Sequence, residues 1–227
     1  EPFRAAKSTY WPPILAFFTA LVGVLAALLF GSRWALLTGA LLNMMAVWGL
    51  WNEFDLNPNW LRRFIPFGES QNAIGVILPV QAGQRRVVVC AHLDTHRAPL
   101  YTSTATWQKL FNLLLLLAFM SMVLGGAAFF LGFLLNLDWT WWIGLAAAPM
   151  LIFALVISIQ AHGAAVSPGA NDNTASVGVA LALAEQLAAE PLSHVETWLV
   201  FTGCEEVGAY GMSAFLDAHT AELGLET

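Results

Sequence analysis

Three groups of polar residues beside apolar runs of this 227-residue chain have the residue types needed for metal-assisted hydrolysis. His92 and Asp94 come directly after the run VVVCA. Asp172 lies between two asparagines in the stretch SPGANDNTASVG, and Glu205 and Glu206 follow the run WLVFTGC. Imidazole and carboxylate groups are the usual zinc ligands besides thiolates, and a further carboxylate beside them can accept a proton from water. The three groups together therefore indicate a metal-dependent hydrolytic site.

Each group also has a structural interpretation. His92 and Asp94 are compatible with a surface histidine that happens to lie near an aspartate. In the second group, Asn171, Asp172 or Asn173 is compatible with a residue that caps the following helix, a common role of Asx side chains. Glu205 and Glu206 are compatible with an acidic surface turn, although two adjacent carboxylates repel each other unless a cation or a proton compensates them. Taken singly, the first two groups are better explained in this way, and only the set favours a site.

The segments around these groups have the pattern of an α/β fold. Runs rich in β-branched residues predict strands at 72–79, 86–91 and 195–203, the third apolar enough to be central in a sheet. We expect the first two to form a hairpin with Gly83 in its turn. Apolar residues at helical spacing predict helices at 173–190 and 210–223.

The position of His92 and Asp94 at the end of a predicted strand favours a binding site. Alternate residues of an extended chain face the same way, so the two side chains project together from the carboxyl end of the strand. Open α/β sheets bind their ligands at that edge. A carboxylate beside a histidine also fixes the tautomer of the ring and raises its basicity as a metal ligand.

Four further segments are apolar over the length needed to cross a bilayer. Residues 13–32, 34–52, 110–135 and 139–159 contain no Asp, Glu, Lys or Arg. A hydrocarbon core about 30 Å thick requires about 20 such residues per helix. Most of the tryptophans lie near the segment ends, as expected at a membrane boundary. The connections at 31–33 and 136–138 are so short that we expect two antiparallel transmembrane hairpins.

Two hairpins return the chain to the side on which it started, so the remaining segments can form one domain. We therefore predict a transmembrane hairpin at 1–52, the first part of the domain at 53–109, an inserted transmembrane hairpin at 110–159, and the second, incomplete part at 160–227. The basic residues near the spans on the domain side are Arg4, Lys7, Arg62, Arg63 and Lys109, whereas only Arg33 lies on the other side. This bias predicts a multi-pass integral membrane protein with a cytoplasmic domain.

The composition excludes some other classes of protein. Hydrophobic residues make up 58% of the chain and charged residues 11%, and the formal net charge is −6. An acidic chain without a basic stripe has nothing to neutralise phosphates, which argues against nucleic acid as a partner. Cys90 and Cys204 match no metal-ligand spacing, and we expect both to be buried thiols beside strands.

Four stretches, in this order, resemble the di-zinc aminopeptidase family that includes bacterial leucyl aminopeptidase, aminopeptidase Y and the glutamate carboxypeptidase relatives. The stretches are SQNAIGVI, VVVCAHLDT, GANDNTASVGVALALAEQL and FTGCEEVGAYGMSAFL. The resemblance covers about 71–100 and 167–216. It implies an α/β fold, namely a partial zinc-exopeptidase sandwich with a mixed sheet and flanking helices, to which the two transmembrane hairpins are added.

The resemblance also implies a role for each polar residue. Asp172 would bridge two zinc ions, of which His92 would bind one and Glu206 the other. Asp94 would orient His92, and Glu205 would be the general base that deprotonates a metal-bridging water for attack on a peptide carbonyl. Cobalt or manganese would also suit such a carboxylate-rich site with one histidine. The implied protein is a membrane-anchored metallo-aminopeptidase that hydrolyses N-terminal peptide bonds, with a peptide substrate and the lipid bilayer as partners and its oligomeric state left open.

The resemblance explains the second pair of apolar segments as an insertion. In soluble relatives a short loop separates the His-x-Asp motif from the bridging aspartate, whereas here 80 positions separate His92 from Asp172. Leaving out residues 109–160 brings the separation close to that of the relatives. An even number of spans then returns the chain to the site.

The sequence departs from the family in its metal ligands. The family has one more ligand for each zinc, an acidic residue a few tens of residues after the Glu-Glu pair and a later histidine. Only 21 residues follow Glu206, and Asp217 and His219 among them are interpreted as solvated residues of the predicted helix. We therefore expect a C-terminally truncated piece that is inactive by itself.

Two alternatives to the aminopeptidase stay open. The first is a non-catalytic membrane receptor or scaffold that retains the peptidase fold, although Glu205 favours an enzyme because a scaffold needs no general base. The second is a related zinc enzyme, such as a carboxypeptidase or a cyclase of N-terminal glutamine, which shares the ligands and differs in its pocket.

Overall fold

A computed structural model of the chain describes residues 1–82 and 85–224. The chain divides into two compact units, each built from separate segments. The unit that contains the strands, here called the sheet unit, comprises Glu1–Thr9, Pro66–His96 and Val166–Thr227. The other, here called the helical unit, comprises Tyr10–Ile65 and Arg97–Ala165.

The sheet unit has a mixed three-stranded sheet and a separate pair of short strands. The strands are β1 (Pro2–Ala6), β2 (Phe67–Gln71), β3 (Ala73–Ile77), β4 (Arg85–His92) and β5 (Val195–Thr202). In the larger sheet β5 is central, with β3 antiparallel on one side and β4 parallel on the other. β1 and β2 form the antiparallel pair, and the sequence patterns predicted neither of them. The central position of β5 confirms the prediction from its apolar sequence.

The predicted hairpin between β3 and β4 is wrong, because β5 lies between them. Its supposed turn residue, Gly83, lies outside the described residues. Both flanking strands pair with β5 because β5 is the strand that is buried on both faces. Thr197, Trp198, Leu199 and Val200, four consecutive residues of β5, are all buried. Burial of this apolar strand outweighs the closeness in sequence of β3 and β4.

Two helices flank the larger sheet. The helix α5 (Ala175–Ala189) lies within the predicted range, and α6 (Tyr210–Leu223) has the predicted ends. Phe215 of α6 packs with Trp198 and Val200 of β5 in a small buried cluster. By contrast, α5 buries only Ala180 among its described residues. The predicted α/β class with a mixed sheet and flanking helices is confirmed for this unit.

The helical unit consists mainly of four long helices. They are α1 (Trp11–Phe30), α2 (Arg33–Phe54), α3 (Ala105–Leu135) and α4 (Trp141–His162). Neighbouring helices in the order α1, α2, α3, α4 pack against one another, and α4 packs against α1. All four predicted apolar segments are therefore helical. By length and composition, each of the four is able to cross a membrane.

Each helical hairpin turns at a residue with a left-handed backbone. α1 ends at Gly31, where φ is 53°, and α3 ends at Asn136, where φ is 57°. Glycine adopts this conformation without a steric penalty, and asparagine tolerates it better than most residues. The next helix begins at once after Gly31, because the Ser32 hydroxyl accepts a hydrogen bond from the backbone N–H of Ala35.

Small residues allow the four helices to approach closely. The Cβ that a substitution would add at Gly39 lies 2.8 Å from the carbonyl oxygen of Gly23, and small residues at helix contacts are typical of membrane helices. Large apolar side chains point outward, with Leu29 75% and Phe30 74% exposed. A soluble protein seldom leaves such a surface in water, so the four helices support association with a membrane.

Candidate metal site

The parallel pairing of β4 and β5 brings the first and third polar groups to one edge of the sheet. His92, the last residue of β4, is in register with Thr202, the last residue of β5. The backbone N–H of Leu93 still donates to the carbonyl oxygen of Thr202 at 2.8 Å. The loops after both strands therefore leave the sheet together, and both carry polar residues of the predicted site.

The second group reaches the same edge through the loop before α5. The Thr95 hydroxyl donates to the carbonyl oxygen of Ser167 at 2.9 Å, and the Ser167 N–H donates to the carbonyl oxygen of His96 at 2.9 Å. Gly169 has a φ of 67° and lies so close to the Thr95 side chain that a Cβ there would overlap with it. These contacts tie the loop around Asp172 to the loop that follows β4.

Asp172 does not cap α5, so the structural interpretation of this residue is wrong. The residue at the N-cap position is Thr174, and no side chain makes a capping hydrogen bond there. Asp172 lies in an irregular turn, Ala170–Thr174, with φ −127° and ψ 91°, and its peptide bond to Asn173 is cis. Its carboxylate lies instead beside the imidazole of His92.

The imidazole of His92 lies among three carboxylates. Its Nε2 is 3.1 Å from Asp172 Oδ1 and 3.9 Å from Glu205 Oε2. One ligand atom from each of His92, Asp172 and Glu206 falls within 4.8 Å of the other two. Residues that are far apart in the sequence therefore form one cluster that is compact enough to surround a metal ion.

Asp94 contacts both sides of this cluster. His92 Nδ1 is 3.0 Å from the main-chain oxygen of Asp94 and 3.7 Å from its carboxylate. The same carboxylate accepts hydrogen bonds from the backbone N–H groups of Glu205, at 3.0 Å, and Glu206, at 3.1 Å. Asp94 thus fixes the imidazole through its backbone and the Glu-Glu segment through its side chain.

One carboxylate oxygen in the cluster is unsatisfied. Glu206 Oε1 is buried and has no hydrogen-bond partner among the described residues. Burial raises the pKa of the Glu206 carboxyl; the charge of His96 opposes this, and the carboxylates of Asp172, Glu205 and Asp94 raise the pKa further. A buried oxygen without a donor is costly, and a cation would satisfy it.

The donor atoms of the cluster fit zinc. An imidazole nitrogen and carboxylate oxygens are ordinary zinc ligands, and three protein ligands with an open position are typical of a catalytic zinc site. The Glu206 carboxylate, one oxygen of which is unsatisfied among the described residues, lies close to the ligand atoms of His92 and Asp172. The orienting contact that a metal-binding histidine needs is present, since His92 Nδ1 lies against the main-chain oxygen of Asp94.

A pocket of about 250 Å³ opens beside the cluster. Its lining residues are Cys90, Ala91, His92, Asn173, Thr202, Glu205, Ala209 and Met212. The sequence patterns indicated only His92 and Glu205 of this set. The expectation that both cysteines are buried is wrong, because Cys90 is exposed beside this pocket and Cys204 is half-buried.

Sequence reasoning also missed Asn72, which holds the loop of the two glutamates. Its buried side chain donates to the carbonyl oxygen of Gly211 at 2.7 Å and accepts from the N–H of Gly203 at 3.2 Å. These two glycines bracket Glu205 and Glu206, so one amide closes the loop that carries them. An Asn directly before a strand gives no signal that would have distinguished it.

Two residues that the sequence analysis left unassigned stay outside the cluster. Asp217 is exposed on α6. The side chain of His219 is only 14% exposed and packs against the rings of Trp198 and Phe215. His219 is therefore not the solvated residue that was expected, but a residue that contacts the core of the sheet unit.

A comparison with protein families matches a segment that contains part of this cluster. Residues 154–225 match the sequence model of Peptidase family M28. The matched range contains Asp172, Glu205 and Glu206 and ends before the last residues of the chain, whereas His92 and Asp94 precede it. No curated protein and no solved structure gives a significant match to the chain. The family match supports a metallopeptidase of the zinc-dependent aminopeptidase and carboxypeptidase type.

Proposed function

We propose that this chain is a membrane-anchored zinc metallo-aminopeptidase that removes residues from peptide N-termini. The single observation that carries the proposal is the convergence of His92, Asp172 and Glu206, together with the unsatisfied oxygen of Glu206. The M28 match over residues 154–225 supports the peptidase chemistry.

We assign the metal ligands within this cluster. His92, Asp172 and Glu206 would hold zinc, and Asp172, whose carboxylate has two oxygens, would be shared between two ions. When bound, zinc supplies a Lewis acid that polarises a carbonyl and lowers the pKa of water. Asp94 keeps the ligands in place through its contacts with His92 and with the backbone of Glu206.

Glu205 is the proposed general base. Its carboxylate lines the pocket and is more exposed than that of Glu206, with 48% of its side chain accessible. It would accept a proton from a water molecule in the pocket as the water oxygen attacks the peptide carbonyl carbon. It would return that proton to the leaving amine as the C–N bond breaks. General acid-base assistance of this kind contributes about 10²–10⁴ in rate.

The choice of an aminopeptidase rests on the resemblance of the polar motifs to the aminopeptidase family. Asp94, Asp172, Glu205 and Glu206 bring four carboxylates to this edge of the sheet. Two divalent ions would balance the formal charge of these carboxylates. The choice between peptides with a free amino terminus and peptides with a free carboxyl terminus is therefore made by comparing the two as substrates.

We propose that the helical unit is the membrane anchor and that the chain crosses the bilayer four times. Under this proposal the helical unit supplies the two hairpins, and the sheet unit, which includes Glu1–Thr9, supplies the peptidase domain. The positive charges near the spans favour a cytoplasmic peptidase domain. Alkylation of Cys90, whose thiol is exposed, by a membrane-impermeant reagent in intact or opened cells would test the orientation.

The proposed function is tested with the full-length protein in detergent or liposomes. Zinc content and hydrolysis of an aminoacyl reporter are measured for wild type and for Glu205→Gln. We expect turnover to fall by about 10²–10⁴, with zinc content unchanged, because only the base is lost. Asp217→Asn is the matched control, since it makes the same change at an exposed site on α6.

Two outcomes would contradict the proposal in different ways. Equal turnover by wild type and Glu205→Gln would remove Glu205 from its assigned role. Retention of zinc by a wild-type protein that hydrolyses no peptide with a free amino terminus would favour the non-catalytic receptor or scaffold. Preference for substrates with a free carboxyl terminus would favour a carboxypeptidase.

A further inference from the structure

A second pocket lies within the helical unit, beside the carboxyl-terminal part of α2. It has a volume of about 310 Å³ and is lined by Trp48, Pro58, Asn59, Trp60 and Arg63. The chain after α2 folds back onto the helix, because the indole N–H of Trp60 donates to the carbonyl oxygen of Met45 at 3.0 Å. The pocket is therefore fixed by the fold of this segment.

Adjacent arginines beside this pocket differ in their contacts. Arg62 donates through Nε and Nη2 to the two carboxylate oxygens of Glu53, at 2.9 and 3.0 Å. Arg63 is exposed, and its guanidinium makes no hydrogen bond or ion pair with any residue that the structure describes; only its backbone N–H is used, by the carbonyl oxygen of Trp60. A guanidinium has five N–H donors, and all those of Arg63 are available to a ligand.

Two other polar side chains of the pocket are already engaged. Asn59 donates to Glu53 Oε2 at 2.9 Å and to the Asn57 carbonyl at 3.1 Å, and its own oxygen accepts from the Leu61 N–H at 3.0 Å. The indole N–H of Trp60 is used by Met45. The side-chain groups left for a ligand are the Arg63 guanidinium and the indole N–H of Trp48, both donors, and the charge of Arg63 selects an anion.

The surroundings of the pocket are aromatic. Trp48, which lines it, is 54% exposed, and Trp51, Phe54 and Phe64 nearby in the chain are at least as exposed. They surround the end of a helix that is long and apolar enough to cross a membrane. Exposed tryptophans at such a position are typical of the boundary between hydrocarbon and headgroups. The chemistry that fits the pocket is thus a phosphate joined to an apolar body.

We propose that this pocket binds an anionic phospholipid, with the headgroup phosphate on the Arg63 guanidinium and the glycerol and acyl region against the indoles of Trp48 and Trp60. Planar guanidinium groups bind phosphate oxygens in a bidentate manner, which a lysine cannot reproduce. The inference requires that the helical unit is inserted in a bilayer, and it is independent of the proposed peptidase activity.

The test is lipid retention by the full chain, purified in a mild detergent and measured by native mass spectrometry. Phosphatidylglycerol and phosphatidylcholine are titrated separately into delipidated protein. We expect Arg63→Gln to weaken phosphatidylglycerol binding by about tenfold or more, as for loss of a charged hydrogen bond. Arg63→Lys is expected to fall between wild type and Arg63→Gln. The matched control is Lys109→Gln, which removes one exposed positive charge of the same unit outside the pocket.

A competition experiment distinguishes a site for a phospholipid from a site for free phosphate. Inorganic phosphate and glycerol phosphate are added to the phosphatidylglycerol complex, and we expect neither to displace the lipid at equal concentration. Displacement by inorganic phosphate would identify a soluble-phosphate site and overturn the proposal. So would equal binding of the two lipids, or equal losses in Arg63→Gln and Lys109→Gln, provided that far-ultraviolet circular dichroism shows both variants folded.

Discussion

The two units of this protein each bury one side-chain oxygen that has no hydrogen-bond partner among the described residues. In the sheet unit it is Glu206 Oε1, and the Glu206 carboxylate lies in a cluster with the imidazole of His92 and the carboxylate of Asp172. In the helical unit it is the amide oxygen of Asn43, which is only 1% exposed. The surroundings of the two oxygens are very different.

The oxygen of Asn43 lies among glycines. The Asn43 amide donates to the carbonyl oxygens of Gly39, at 2.9 Å, and Ala20, at 3.4 Å, and so joins α2 to α1. A Cβ at Gly125 of α3 would lie 3.9 Å from its oxygen. Polar side chains of this kind hold membrane helices together at a modest gain in stability. A buried unsatisfied oxygen therefore indicates a ligand site only where ligand atoms of other residues lie close to it.

The largest expected effect is on zinc affinity, which should change on substitution of Glu206 but not of Asn43. Glu206→Gln should weaken zinc binding by at least about 100-fold, because it removes a charged ligand rather than a group that supports one. Asn43→Ala should leave zinc binding unchanged. The measurement is zinc titration of the full-length protein against a competing chelator. Equal zinc affinities in wild type and Glu206→Gln would contradict the assigned ligand set.

A second pair of substitutions tests how the sheet unit holds the Glu-Glu loop. A Cβ at Gly211 would overlap with the carbonyl oxygen of Gly203 and would lie 2.6 Å from Asn72 Oδ1. Gly211→Ala should therefore destabilise this unit by about 3 kcal/mol, because backbone must move to admit the methyl group.

The control for this prediction is Gly178→Ala in α5. No atom of the described residues lies within 4 Å of a Cβ placed there. The substitution should stabilise the helix by up to about 1 kcal/mol through helix propensity. Hydrogen exchange of the β5 amides measures both effects. Unaltered protection of β5 in Gly211→Ala would show that the loop is not held as described.

In the helical unit, glycine substitutions test the close packing of α3 against α4. A Cβ at Gly144 of α4 would overlap with the ring of Phe129 on α3. Gly144→Ala should cost about 2 kcal/mol, since a buried ring can shift only partly. Gly125→Ala should be tolerated within about 0.5 kcal/mol, because its Cβ has an ordinary contact distance to Asn43. Thermal unfolding in detergent, followed by circular dichroism, compares the two, and similar losses would argue against the described α3 and α4 packing.

The smallest expected effect is a pH dependence in the sheet unit. Glu196 accepts hydrogen bonds from the Trp198 indole and the Arg86 guanidinium, both at 2.6 Å, and these contacts lower the pKa of its carboxyl from the ordinary value of 4.5. The stabilisation is fully present above pH 4.5 and is lost as the pH falls through the lowered pKa.

Glu196→Gln should therefore be less stable than wild type near neutral pH and approach it in acid. Unfolding midpoints of both proteins across this pH range provide the measurement. A stability difference that stays constant with pH would mean that packing, and not the charge of Glu196, is responsible.

Local patterns were sufficient to predict most of the elements. The four apolar segments, α5 and α6 were predicted because side-chain periodicity and length are properties of neighbouring residues. The pairing of β3 and β4 was predicted incorrectly, because strand order depends on which strand is buried and not on the distance along the chain. β1 and β2 were missed since PFRAA and FGESQ have no strong β pattern.

The residue types of the candidate site were predicted from the sequence, but the hydrogen bonds that hold these residues in place were not. Strand ends and a Gly-rich loop made His92, Asp172 and Glu206 visible in the sequence. The hydrogen bonds from the Glu205 and Glu206 backbone to Asp94, and the bridge made by Asn72, join residues more than 100 positions apart. No local pattern encodes such pairs.

By itself, the sequence determined that this chain contains four helices of membrane-spanning length and strands that end in residue types able to bind a metal ion. Both follow from the hydropathy and spacing of adjacent residues. Only the tertiary structure decided that β4 lies parallel to β5 with His92 level with Thr202, and that Asp172 turns toward them instead of capping α5. The physical reason is that burial of β5 on both faces fixes the strand order, and the strand order decides which loops meet.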